Sequence, residues 1–485
     1  MTFSASREIL CLLVTDRLFS APRGIARRFR LRWSVEGGYR QLLTIALPLI
    51  LSNGAYAIQQ FVDRMFLAWF SPSAVAATTP AGILNFMIVS LFINTAGYVG
   101  TFVAQYHGAG RDNRIGSAIW QGIYLSLAGA ALLLPLVPAA PAIFGVIGHG
   151  GLVEVYEVSY FRVLTTGAVF VILNAALTSF YSGLGKTWPV LWILLASTAV
   201  NVVLDYLLIF GRAGLPELGV TGAATATVIA GAVATTIFAI CILARRDRRQ
   251  YGLHDARLDL RLLVRVIRYG LPSGLQIMID MSGFTVFILL VGRLGTESLA
   301  ATNLALNINM LAFMPVIGLG IAVSVLVGQH IGDGRVDRAE YSTYSGVHVA
   351  LGYMCFIGAT YILFPDLFLL PYMLNADPNE FHGIEQTART LLRFVAVYSL
   401  FDALTLTFSS AIKGAGDTRF VVLVIAGLSL CVLTVPTAVM LLVLGWGMYA
   451  AWTAATVYIS VLGIVFLLRF RHGAWKRMSV MEPEM

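Results

Sequence analysis

Charge is what this chain has least of. Lys, Arg, Asp and Glu make up 12% of its 485 residues, against about 25% in soluble domains. With 58% hydrophobic residues and a mean hydropathy of +0.80, that shortage excludes a water-soluble globule. Cysteine is scarce too. Cys11, Cys241, Cys355 and Cys431 have no paired spacing, which leaves no disulfide framework and no zinc module. The apolar run at the amino terminus spans only Ile9 to Val14, without a small-residue cleavage site after it, so no cleaved signal peptide is expected. No ATP-binding segment occurs, and no nucleophile, base and acid set lies in a soluble region, which points away from an enzyme.

What the chain has in abundance is apolar length. Twelve segments reach the roughly 20 residues that a bilayer requires: near 41–68, 79–105, 117–139, 160–182, 188–210, 219–244, 269–291, 299–328, 343–365, 388–412, 420–442 and 446–470. Positively charged connections stay cytoplasmic. The tail before span one carries Arg7, Arg17, Arg23, Arg27, Arg28, Arg30, Arg32 and Arg40, and the connection after span six carries eight more between Arg245 and Arg268. The other even-numbered connections and the carboxyl tail add Arg111, Arg114, Lys186, Arg335, Arg338, Lys413, Arg419, Arg469, Arg471, Lys476 and Arg477, while the odd-numbered ones hold only Arg212, Arg293 and Arg389. Both termini are therefore expected inside. The net charge of +8 follows from topology and gives no reason to expect a nucleic-acid partner.

The sequence repeats itself. A shift of 224 residues lays TFVAQYHGAGRDNR (101–114) over VLVGQHIGDGRVDR (325–338), matching Gln105, Gly108, Gly110, Arg111 and Arg114, and sets Leu47-Pro48 on Leu271-Pro272. A shift of 231 sets Gly183, Gly185 and Thr187 on Gly414, Gly416 and Thr418. The organisation expected is a basic tail (1–40), an N-lobe of six helices (41–244), a linker (245–268), a C-lobe of six helices (269–470) and a short tail (471–485). Six spans per half put both halves in the same orientation, with a substrate path between them. The glycine-rich turns lack a Walker lysine and are read as tight turns rather than phosphate cradles. Pro48 and Pro272 each remove a backbone donor at matching depth, which suggests a bend in both first helices. His348 is read as packing.

Four acids fall inside the spans: Asp63, Asp205, Asp280 and Asp402. Each costs about 2.5–3.5 kcal/mol near a bilayer centre, and such residues mark ion or substrate paths. Asp63 and Asp205 fall in the outer halves of spans one and five, where they could share one site; Gln59 and Asn201 stand four residues before them, on the same helix faces. Asp280 and Asp402 fall near mid-membrane, with Gln276 one turn before the first and Ser399, Thr405 and Thr407 around the second. Oxygen-rich surroundings suit a hard cation such as Na+, although span hydroxyls also bond their own carbonyls. The competing reading is structural: each acid paired with Arg64, Arg162 or Arg393, or permanently neutral.

FVDR (61–64), VAQYHGAG (103–110), NVVLDYLLIFG (201–211), GVTGAATAT (219–227) and KGAGDT (413–418), on a six-plus-six repeat, resemble the multidrug and toxic compound extrusion (MATE) family over about 41–470. The resemblance implies an all-α membrane protein of twelve helices in two pseudo-symmetric lobes set in a V, with alternating access. It implies export of amphipathic organic cations in exchange for Na+ or H+. It makes Asp63 the first-helix acid, Asn201 and Asp205 the fifth-helix pair, and Thr227 their sixth-helix neighbour. Asp280 stands where a sodium-coupled branch has glutamate, and Asp402 where it has aspartate, so Asp280 and Asp402 are the candidate Na+ ligands. Two positions depart from the family: Asp280 is a methylene shorter than Glu, and Arg64 replaces a small hydroxyl residue.

The function expected is a cation-coupled antiporter in a bacterial inner membrane, exporting small organic cations. It needs no cofactor beyond the coupling ion and works as a monomer within the lipid bilayer. A lipid-linked oligosaccharide flippase is the alternative transporter, and a non-transporting receptor or scaffold the alternative class.

Overall fold

The computed structural model describes residues 31–242, 244–373 and 378–482. Arg7, Arg17, Arg23, Arg27, Arg28, Arg30, Cys11 and the Ile9–Val14 run lie outside the described residues. Apolar segments in a bilayer must satisfy every backbone group internally, and among the described residues all regular structure is helical. Eleven helices are long and apolar enough to span, and one bent pair supplies a twelfth. They are α1 (Tyr39–Phe70), α2 (Pro72–Gly108), α3 (Asp112–Leu133), α4 (Gly151–Thr166 with Ala168–Gly183), α5 (Trp188–Ile209) and α6 (Gly219–Ile242). The second set is α7 (Leu260–Gly292), α8 (Thr296–Gly332), α9 (Val336–Leu363), α10 (Gly383–Ala415), α11 (Thr418–Val443) and α12 (Met448–His472).

The outlines differ from the sequence expectation where proline and glycine intervene. The third span stops at Leu133 rather than near 139, because Pro135 cannot continue the hydrogen-bond ladder, and a separate helix Leu136–Ile147 follows. The fourth begins at Gly151 rather than near 160 and bends by 43° around Gly167, which packs hard against Val228 of α6. In α11, Pro436 lacks an N–H, and the backbone widens into π-helical turns at Ser429–Thr434 and Val439–Val443 on either side of it. Pro48 and Pro272 lie inside α1 and α7, which run through them unbroken.

The halves meet through a symmetric exchange: α1 packs on α8, and α7 packs on α2. Their closest approach is at the end of the bundle that carries the repeated turns and most of the loop arginines, the basic end. Gly110 and Gly334 take positive φ there (68° and 71°), as tight turns require. A Cβ on Gly108 would sit 1.9 Å from the Gln329 carbonyl oxygen, and one on Gly332 would sit 2.1 Å from that of Gln105. Only glycine lets the two backbones touch. Gln105 Nε2 donates to Gly414 O at 2.9 Å, and Gln329 Nε2 donates to Gly183 O at 2.9 Å. Donors and acceptors are the repeat-related residues, so one contact is made twice.

The chain segments outside the spans reinforce this end. Glu36, ahead of α1, lies on the opposite half, with Arg335 Nη1 and Nη2 at 2.6 and 2.7 Å from its carboxylate. Arg335 holds the Glu36 carboxyl below its ordinary range, so this tie is present at neutral pH and lost as pH falls. The stretch ahead of α7 lies on α3, through Gly116 N to Tyr251 O at 2.7 Å and Trp120 Nε1 to Leu253 O at 3.1 Å. The carboxyl tail returns to the first half, where Ser479 Oγ and Val480 N both donate to Gln105 Oε1 at 2.9 Å and Tyr106 OH donates to Glu482 Oε2 at 3.2 Å, while Arg265 of α7 pairs with Glu482 at 2.6 Å. Among the described residues the side-chain hydrogen bonds joining the halves lie toward this end, apart from a 3.6 Å contact of Ser282 Oγ with Met87 Sδ.

Replacing both glutamines by leucine would leave two buried carbonyls without donors, at about 1–3 kcal/mol each. In a background without native cysteines, Gln105→Leu/Gln329→Leu should raise maleimide labelling of a cysteine at Ser182, buried beneath the contact, by about fivefold or more. Labelling should come from the basic side. An unchanged rate would show that the glutamines do not hold this end closed.

Candidate functional site

Two groups of buried polar residues sit within the spans, one in each half. In the first, Asp63 of α1 and Asp205 of α5 come together: Asp205 and Asn201 are 0% exposed and Asp63 is 6% exposed. Their carboxyls lie within hydrogen-bonding reach of each other. Turned with its NH2 toward the acids, the Asn201 amide donates to Asp63 Oδ1 at 3.1 Å and to Asp205 Oδ2 at 3.1 Å. The opposite orientation would set the amide oxygen against both carboxylates. Its other amide atom is 3.5 Å from Thr227 Oγ1 on α6. Gln59, buried one turn before Asp63, receives Thr198 Oγ1 at 3.4 Å. Asp205 Oδ1 has no donor from a described protein group.

None of the three span arginines forms an ion pair with these acids among the described residues. Arg64 points out to an exposed face, as neighbours on a helix do. Arg162 donates to the Val137 carbonyl at 3.0 Å, and Arg393 is exposed.

The second group lines a cavity of about 590 Å³ between the halves, within the range of sites that enclose small molecules. Asp280 of α7 and Asp402 of α10 both face it. Tyr458 OH of α12 donates to Asp280 Oδ1 at 3.0 Å. Asn309 Oδ1 and Thr405 Oγ1 line the same space, buried and without a described partner. Ser399 spends its hydroxyl on the Val395 carbonyl at 2.6 Å, and Thr407 is buried outside the cavity lining.

Lys413 is the correction. Counted by sequence among the connection charges, it lies inside the helix Pro378–Ala415 and faces the cavity, its Nζ donating to Gln276 Oε1 at 3.2 Å. The signal was its spacing: Asp402, Ser409 and Lys413 stand at i, i+7 and i+11, one face of a helix. Glu157 was also missed. It is 0% exposed in the first arm of α4, with His149 Nδ1 2.7 Å from Oε1 and no described partner for Oε2. The polar run around it hid a helix that starts nine residues before the expected span. His348 is more than packing, since its ring bonds Arg32 at 2.5 Å and Tyr39 OH at 3.0 Å.

Two related six-span halves, a cavity between them closed at one end, and buried carboxylates without an ion pair among the described residues form the anatomy of a membrane transporter. The MatE family model matches residues 48–207 and 272–440, once in each half and together more than half of the chain. The chain belongs to that family. It is 25% identical over 451 residues to the probable multidrug resistance protein NorM of Thermotoga maritima, covering 92% of this chain and 95% of that one. It is 27% identical over 401 residues to the multidrug resistance protein PmpM of Pseudomonas aeruginosa, covering 79% and 80%. Among solved structures, a MOP superfamily transporter from Pyrococcus furiosus and an outward-facing multidrug resistance MATE transporter each superpose with a TM-score of 0.83 at 20% identity. Each covers 93% of this chain and 99% of the other. The fold is that of a MATE transporter.

Two carboxylates that share one amide repel in a low dielectric. Asp205→Asn should therefore raise the thermal midpoint of the purified protein, whereas Asn201→Leu, which removes the common donor, should lower it by the equivalent of about 1–3 kcal/mol. The reverse order would mean that the acids are held by contacts other than Asn201.

Proposed function

We propose that this protein is a cation-coupled antiporter that exports small organic cations from the cytoplasm of a bacterium by alternating access. The proposed moving bodies are the lobes 41–244 and 269–470, and the basic end is taken as cytoplasmic. The observation that carries this reading is the Asp63–Asn201–Asp205 cluster. It holds two acids, no pairing cation among the described residues, and one carboxylate oxygen without a donor. Such a cluster is relieved by a proton or a metal cation, and a neutralised carboxylate attracts an organic cation less than a charged one does. Competition of this kind ties release of substrate to uptake of the coupling ion. The multidrug resistance names of relatives support export of varied organic compounds. A flippase for pyrophosphate-linked lipids would want a strongly basic cavity, whereas this one holds two carboxylates and one lysine.

A second coupling reading places Na+, as cargo, between Asp280 and Asp402. It draws on the two carboxylates and on the free oxygens of Thr405 and Asn309 beside them.

In proteoliposomes, Asp205→Asn should abolish gradient-driven efflux of an organic cation while membrane expression stays near normal. Export at the wild-type rate would make Asp205 a structural acid. If Na+ binds in the second half, Na+ but not K+ at equal ionic strength should raise the thermal midpoint by mass action, and Asp280→Asn or Asp402→Asn should remove the effect. A midpoint indifferent to Na+, with efflux driven by pH alone, would assign coupling to protons at Asp63 and Asp205.

A further inference from the structure

The repeat that sets Gln105 on Gln329 also sets Gln41 on Arg265 and Ile45 on Tyr269, and the shift of 231 sets Gly185 on Gly416. Each set of four borders a recess at the basic end. In one of them the carboxyl tail is seated, with Val480 0% exposed. The Val480 N–H and the Ser479 hydroxyl both donate to Gln105 Oε1 at 2.9 Å, and the Val480 carbonyl accepts from Arg265 Nη2. Its side chain lies over Gly416, where an added Cβ would come within 3.0 Å of Val480 Cγ1 and 3.8 Å of the Tyr269 ring. One acceptor, one donor and one apolar wall thus hold a piece of backbone across the joint between the halves.

The counterparts Gln41, Ile45, Gly185 and Gln329 border an open recess of about 470 Å³, within the size range of sites for small ligands. Their polar groups are half used. Gln329 donates from Nε2 to Gly183 O, while no described group donates to its Oε1. Gln41 receives the Gly37 N–H at 2.7 Å on Oε1, and its NH2 has no described acceptor. Gly185 leaves room beside Ile45, since an added Cβ would meet the Ile45 side chain at 3.4 Å. Two charged residues also line the recess. Arg335 holds the Glu36 carboxylate, whereas Arg40 forms no ion pair among the described residues.

We propose that this second recess is a peptide-binding site that takes an extended segment of the tail's own chemistry. A backbone N–H meets Gln329 Oε1, a carbonyl meets the Gln41 NH2, and a branched apolar side chain lies against Ile45 and Gly185. An acidic residue further along the ligand has Arg40 as its partner. The recess joins Gln329 of one half to Gln41, Ile45 and Gly185 of the other, so a bound peptide ties the halves as the tail does at Gln105. It therefore holds the basic end closed. This site is separate from the central cavity and does not depend on what that cavity carries.

The test is equilibrium binding of a fluorescent acetyl-Met-Ser-Val-Met-Glu-amide, the sequence of residues 478–482, to the purified full-length protein. Wild type should bind it saturably, and replacing the peptide's valine by glycine should weaken binding about tenfold, as loss of a buried branched side chain implies. Thr44→Trp, at an exposed position that lines the recess, should abolish binding. A photoreactive residue in place of the peptide's first methionine should crosslink wild type to the start of α1 or to residues 184–185. That measurement needs no variant, so a poorly folded substitution cannot decide the matter. No saturable binding, equal binding of the glycine peptide, or crosslinks to α7 and residues 414–416 would overturn the site, the last by showing that the peptide merely displaces the protein's own tail. Loss of the export reading would leave all of these outcomes as informative as before.

Discussion

The structure depends on backbone touching backbone at the basic end. Gly108 and Gly332 let the ends of α2 and α8 approach to a distance no side chain permits, and this sets Gln105 and Gln329 opposite the carbonyls of Gly414 and Gly183. The contact exists twice because the sequence is duplicated, and each copy joins opposite halves. Gln105 is fully used, its NH2 on one half and its oxygen on the carboxyl tail. A buried polar contact satisfied on every side tends to be either formed or lost as a unit. That is the property required of an end that closes in one state and opens in another.

On the proposed reading, the buried charges supply the reason to switch. Polar ties hold the basic end, whereas Asp63, Asp205, Asp280 and Asp402 sit in the spans with few donors and no paired arginine among the described residues. Their electrostatic cost varies with whatever cation is near them. Contacts that are neutral in net charge, such as the glutamine ties, do not vary in this way. With the buried acids in the body of the bundle and the glutamine ties at its end, a cation at the acids would act apart from those ties, and the long continuous helices α1, α7, α8 and α10 connect the two regions.

Much of this was legible in the sequence, for definite reasons. Spans announce themselves because a bilayer demands length and apolarity together. The repeat was legible because Gln105, Gly108, Gln329 and Gly332 recur in register, but the contact these residues make across the halves depends on how the two backbones meet in space. What escaped notice was whatever a positional rule could mislabel. Lys413 looked like a connection charge because it lies three residues before Gly416, although its spacing from Asp402 put both on one face. Glu157 looked like loop because α4 begins in polar sequence and bends at Gly167. The ties of Glu36, Ser479 and Glu482 to the opposite half, the last through Tyr106, have no periodic signature, since they depend on where an irregular segment returns in space.

The most direct measurement is the distance between spin labels at Asn113 and Asp337, repeat-equivalent exposed positions on the turns of the two halves at the basic end. Alternating closure requires two populations in lipid, with the longer distance gaining as an organic cation is added on that side. One short distance under every substrate and gradient, in protein shown to transport, would contradict it.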